Sequence, residues 1–87
     1  MAKPESRVGI AGVECNSSYK VPETPVRFFF GGADYEVERI TKRWREQGKG
    51  GRILEKFEVL VKGHIWMLTY DTFGKIWVAR DLGRAGA

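Results

Sequence analysis

The sequence predicts a mainly β domain: a small five-stranded antiparallel barrel, SH3-like or OB-like, behind a flexible N-terminal leader. Three observations carry that prediction. The large aromatic residues Phe28, Phe29, Phe30, Tyr35, Trp44, Phe57, Trp66, Tyr70, Phe73 and Trp77 all fall between positions 28 and 77. Within that block apolar and polar residues alternate with the period of two that half-buried strands require. Short glycine-containing breaks separate the alternating runs, as tight turns between antiparallel strands do.

Length and composition fit one small domain. A chain of 87 residues with 43% hydrophobic and 30% charged side chains is too short for two separate cores. Each buried aromatic or large aliphatic side chain contributes roughly 1.5 to 3 kcal/mol before the entropic cost of ordering the chain. The aromatic block is therefore large enough to support a fold without a disulfide or a metal.

Residues 1–24 contain Pro4, Pro22 and several Gly and Ser, with no sustained period, and read as the leader, with VGIAGV or SYKV as the candidates for a short ordered piece within it. From Pro25 the character changes. VRFFF and DYEVER flank Gly31-Gly32, a pair suited to a tight turn, and form a hairpin. In ITKRWREQ, Ile40, Lys42 and Trp44 alternate as in a strand displaced by a bulge after Val37, placing Ile40 and Trp44 in the core. Two turns of helix ending at Gly48 are the alternative, because Val37, Ile40 and Trp44 also fit a helical stripe.

Gly48, Gly50 and Gly51 make a loop, and a three-stranded meander follows. LEKFEVLVK turns at Gly63-His64 into IWMLTYD, and Thr72-Phe73-Gly74 leads to KIWVARD. Trp66 and Trp77 fall in neighbouring strands and are expected to pack on the sheet. The domain spans 25–82, and 83–87 reads as a frayed tail.

Composition excludes several kinds of chemistry. One His and one Cys fall short of the three or four ligands of a zinc site. Cys15 in the leader and His64 at a turn read as an exposed thiol and a turn histidine rather than a nucleophilic dyad. Glu36 and Glu38 read as solvated surface, while Asp34, Asp71 and Asp81 occupy strand ends or turns, where Asp bonds nearby backbone. GKGGR lacks the spacing of a phosphate loop. No enzyme activity and no cofactor are expected. A single Cys, with no signal-peptide core and no run long enough to span a membrane, points to the cytoplasm and away from a membrane.

Charge is more informative. Between Arg39 and Lys56 seven cations face two carboxylates, a net +5 in a chain whose total is +4. Arg39, Lys42, Arg43, Arg45, Lys49 and Arg52, with Trp44 as a stacking ring, are therefore the candidate nucleic-acid-binding residues: cations track phosphates and aromatic rings stack on bases. A solvated charged surface is the plainer reading of the same run. The rival partner is another protein, held by an aromatic patch or an open sheet edge.

Beyond the physical pattern, Phe28-x-Phe30-x-Gly32-x-x-Tyr35-x-Val37-x-x-Ile40-x-x-Arg43-Trp44-Arg45-Glu46, with Phe57-x-Val59 and Leu68-x-Tyr70-x-x-x-Gly74-x-x-Trp77, resembles a small bacterial domain family of uncharacterised function. That family is similar to a domain found alone or at the C-terminus of some Y-family polymerase-like DNA-repair proteins. The resemblance covers residues 26 to 80 and implies a small β module that accompanies nucleic-acid machinery, with no catalytic residues to carry over. Gly74-Lys75-Ile76-Trp77 is one residue longer than the family's Gly-Arg-Trp, and Phe57-Glu58-Val59 lacks its arginine.

Overall fold

A computed structural model describes residues 7–18 and 21–86. Seven strands, β1 (Val8–Ser18), β2 (Val21–Phe30), β3 (Ala33–Glu36), β4 (Arg39–Gln47), β5 (Ile53–Val61), β6 (His64–Asp71) and β7 (Ile76–Arg84), form one antiparallel sheet. Their order is β3-β2-β1-β7-β6-β5-β4. Two meanders, β1 to β3 and β4 to β7, are joined where β1 pairs with β7. The sheet curls into a half-barrel, in keeping with the expected small antiparallel barrel, but with seven strands instead of five.

One additional strand arises in the stretch read as a leader; the other arises because the expected bent strand after Gly32 divides into β3 and β4. Residues 8–18 are β1, and β2 begins at Val21, four residues before the expected domain start. The first half of β1 (Val8–Ala11) pairs with β7 and the second half (Gly12–Ser18) with β2. β1 turns Gly9, Ala11 and Val13 toward the core, so of these three only Val13 gives its inner face a large hydrophobic side chain. The glycine is needed: a Cβ at Gly9 would stand 3.2 Å from the Phe30 ring. At the other end the expected tail also joins the sheet, since Gly83 and Arg84 pair with Ile65 and His64.

Curling is visible in the hydrogen bonds of two residues. Val37 donates its N–H to the Val26 carbonyl on one edge of the sheet, and Glu38 donates to the Leu60 carbonyl on the other. The chain crosses from edge to edge within one peptide unit, so β3 and β4 meet there.

The concave face holds the core. Phe28, Val59, Leu68 and Ala79 are fully buried, and Ala11, Phe57, Val61 and Trp66 nearly so. Trp66 sits among Phe28, Tyr35 and Phe30, with ring centroids 5.0, 5.1 and 5.5 Å away. Trp77 belongs to a second cluster with Tyr70, its direct cross-strand neighbour, and Phe57. The two tryptophans thus pack on the sheet as expected, but in separate clusters.

The hairpin expected around Gly31-Gly32 is present: both glycines have positive φ, 62° and 84°, as a type I′ turn demands. Its second arm is shorter than expected, ending at Glu36. The second hairpin turns one residue earlier than expected, at Lys62-Gly63 rather than Gly63-His64, with φ of 48° and 79°. His64 is thereby a strand residue opposite Val61. Asp71 caps the β6–β7 turn by accepting the N–H groups of Phe73 and Gly74 at 2.9 and 3.2 Å, and Asp81 accepts that of Gly83 at 2.9 Å.

Candidate nucleic-acid interface

The basic run is β4, an edge strand that pairs only with β5. It is a strand with a bulge, not a helix. The bulge, however, lies at Thr41, between Ile40 and Lys42, rather than after Val37. Strand side chains alternate faces, so one extra residue exchanges the faces of everything beyond it. Ile40, opposite Val59, stays inward; Lys42, opposite Glu58, turns outward. Thr41 holds the bulge by donating its hydroxyl to the Glu58 carbonyl at 3.1 Å and side chain at 2.8 Å.

The bulge divides the candidate residues. Arg39, Lys42 and Trp44 lie on the convex face opposite Leu60, Glu58 and Lys56. Arg43 and Arg45 lie on the concave side opposite Phe57 and Glu55. Lys49 occupies the 3-10 turn Lys49–Gly51 and Arg52 follows it. The seven residues therefore do not form one patch. Arg43 covers the Phe57 ring at 5.0 Å, and Arg45 pairs with Glu55 at 3.1 Å. Arg52 pairs with Asp71 at 3.2 Å and lies 5.8 Å from the Phe73 ring. These three are occupied by the protein itself.

Trp44 is the main correction. It is not a core residue: it is 37% exposed on the convex face, with its indole N–H donated to Glu46 at 2.9 Å. The Glu46 carboxylate also stands 3.8 Å from the Lys56 ammonium. The indole is thus tied to Glu46, with Lys56 opposite on β5 and Lys42 two residues earlier on the same face. Among the described residues, Arg39, Lys42 and Lys49 make no ion pair. Arg39 and Lys42 lie on β4, and Lys49 lies in the turn just beyond its end.

Lys56 and Arg80 were missing from the sequence-derived set, yet both project on the convex face. The Lys56–Trp44 pairing depends on a β4–β5 register that no single strand reveals. Elsewhere, Cys15 is half-buried on β1 opposite Pro25. His64 stands 3.5 Å from Asp81 at the opposite end of the neighbouring strands. The register keeps the two apart. Among the described residues no three His, Cys, Asp or Glu side chains cluster as metal ligands, and no helix is long and apolar enough to cross a membrane. Comparison with protein-family models, curated proteins and solved structures returns no match for the chain.

Proposed function

We propose that this chain is a non-enzymatic module that binds single-stranded nucleic acid along the convex side of β4. The observation that carries the reading is Trp44, 37% exposed on an edge strand, with Lys42 two residues earlier on the same face and Lys56 opposite on β5. Arg39, Lys42 and Lys49, which make no ion pair among the described residues, supply charge, and Trp44 supplies a face on which one base stacks. Arg43, Arg45 and Arg52 support the surface instead of contacting phosphate. The resemblance to a domain of DNA-repair proteins favours a DNA-repair accessory role in the cytoplasm.

The test is fluorescence anisotropy with a short labelled single-stranded oligonucleotide. Three phosphate contacts predict an affinity loss of roughly twentyfold between about 50 and 200 mM salt. Base stacking is worth about 1 to 3 kcal/mol, so Trp44→Ala weakens binding by about five- to 150-fold. No binding at the lower salt overturns the proposal.

A second reading rests on β4 itself. This nine-residue strand has one partner strand and one open side, so an extended segment of another protein could add to the sheet there. An acidic segment matches the arginines and lysines that flank the edge. Such a complex gains its affinity from backbone hydrogen bonds and survives Trp44→Ala, which separates it from the nucleic-acid reading.

A further inference from the structure

Beside the Lys62-Gly63 turn the concave face ends in a recess that the core does not fill. On β6, His64 and Trp66 both point inward, Trp66 opposite Asp81 of β7 and His64 opposite Val61 of β5. From the far side of the sheet β3 brings Tyr35 over the same end, its ring centroid 5.1 Å from that of Trp66. The recess has a volume of about 250 Å3. Tyr35, Val61 and Trp66 form its apolar wall, and Arg7, Lys62, His64 and Asp81 line the rest.

Arg7 is the anchor of this recess. Its carbonyl accepts the Asp81 N–H at 2.8 Å, which continues the β1–β7 pairing and fixes where the side chain starts. Its guanidinium lies 5.4 Å from the Trp66 centroid and 5.8 Å from that of Phe30, and donates to the Tyr35 hydroxyl at 2.9 Å. A guanidinium carries five N–H donors in a planar fork. Among the described residues Arg7 gives one of them to this neutral hydroxyl and none to a carboxylate. A fork held in one orientation by two rings and a phenol, with donors to spare, matches the two oxygens of an oxyanion.

Size and charge choose the ligand. The recess is smaller than the roughly 300 to 1,000 Å3 of pockets for drug-sized molecules, so its occupant is about one ring bearing one acidic group. An apolar wall that includes two aromatic side chains suits a flat ring. The charge of the ligand is limited to one. Lys62 adds to Arg7, but the Asp81 carboxylate lines the recess and Glu38 accepts the Lys62 N–H at 2.7 Å, so a dianion meets repulsion that a carboxylate meets less. We infer that this recess binds a small aromatic carboxylate, with its two oxygens on the Arg7 fork and its ring against Val61 and Trp66. The site shares no residue with the β4 face proposed for nucleic acid, and either stands or fails alone.

The experiment is an amide chemical-shift titration of the full chain with benzoate, benzamide and phenyl phosphate at about pH 8, where the phosphate ester is a dianion. Benzoate is expected to give saturable shifts at Tyr35, Lys62, His64 and Asp81 and at the Trp66 indole N–H. Benzamide has the same shape without the charge and binds at least about tenfold more weakly, and phenyl phosphate also binds more weakly than benzoate. In Arg7→Gln, shown to be folded by circular dichroism, benzoate affinity falls about tenfold or more, to the level of benzamide. No saturable shift with benzoate up to its solubility limit overturns the inference and leaves Arg7 as a cover for Trp66. Equal affinity for benzoate and benzamide overturns the carboxylate, and tighter binding of phenyl phosphate overturns the limit of one charge. Unchanged benzoate affinity in folded Arg7→Gln overturns Arg7 as the anchor. If that variant does not fold, the comparison of benzoate with benzamide on the wild type alone decides.

Discussion

Replacing Trp66 and Trp44 by Ala separates the core from the surface more sharply than any other pair of substitutions. Trp66 is 2% exposed and contacts three aromatic rings with centroids 5.0 to 5.5 Å away, and the Arg7 guanidinium lies over it at 5.4 Å. Truncating such a side chain costs about 3 to 5 kcal/mol. A chain of this length has a total stability of roughly 4 to 13 kcal/mol, at about 0.05 to 0.15 kcal/mol per residue. Trp66→Ala therefore removes between about a quarter and all of it. At about 4 to 8 °C per kcal/mol, a mid-range loss lowers the melting temperature by roughly 15 to 30 °C. Trp44 has a partly exposed ring and a solvent-accessible hydrogen bond to Glu46. Its truncation costs about 1 kcal/mol and a few degrees. Thermal melts followed by circular dichroism measure both. If Trp44→Ala melts as low as Trp66→Ala, Trp44 belongs to the core and the assignment of faces on β4 is wrong.

Two further outcomes follow from the same geometry. Lys62 holds φ = 48° as the first central residue of a type I′ turn, a conformation that Asn accepts more readily; Lys62→Asn should raise stability by about 0.5 kcal/mol in urea denaturation. The double substitution of Arg43 and Arg45 by Ala removes a cation–π contact to Phe57 and an ion pair with Glu55 that is 69% exposed at the arginine. Each is worth at most about 1 kcal/mol, and the pair less after solvent screening, so the variant stays folded in the same assay. It also retains oligonucleotide binding within a few-fold, because neither side chain shares the face of Trp44.

Much of the second meander was legible because its strands alternate large and polar residues. Phe57, Val59 and Val61 against Glu58, Leu60 and Lys62 is a pattern that only one pairing can bury. The first hairpin was legible from Gly31-Gly32, since few residues other than glycine occupy two successive positive-φ positions. β1 was not, because the positions it turns toward the core include Gly9 and Ala11 while Ile10 faces solvent. Pro22 and Pro25 added the appearance of a linker, yet both lie in β2, whose pairing with β3 spans only Arg27–Phe30. Lys62-Gly63 was misplaced because a lysine at positive φ leaves little trace in sequence, whereas a polar His after Gly resembles a turn.

For the candidate site, the concentration of charge was visible but its division between faces was not. The sequence allowed a bulge anywhere between Val37 and Trp44. Its position at Thr41 is fixed by pairing with β5 and by the Thr41–Glu58 hydrogen bonds. That one residue decides whether Trp44 or the two arginines face the core, and with it whether the run offers a stacking ring to solvent.

The most direct test of nucleic-acid binding on this face is an amide chemical-shift titration with a short single-stranded oligonucleotide at two salt concentrations. The proposal predicts shifts along Arg39–Gln47, at the Trp44 indole N–H and at Lys56, fading at the higher salt. Shifts centred on the concave residues Arg43, Phe57 and Tyr70 instead, or no shifts at the lower salt, would contradict it.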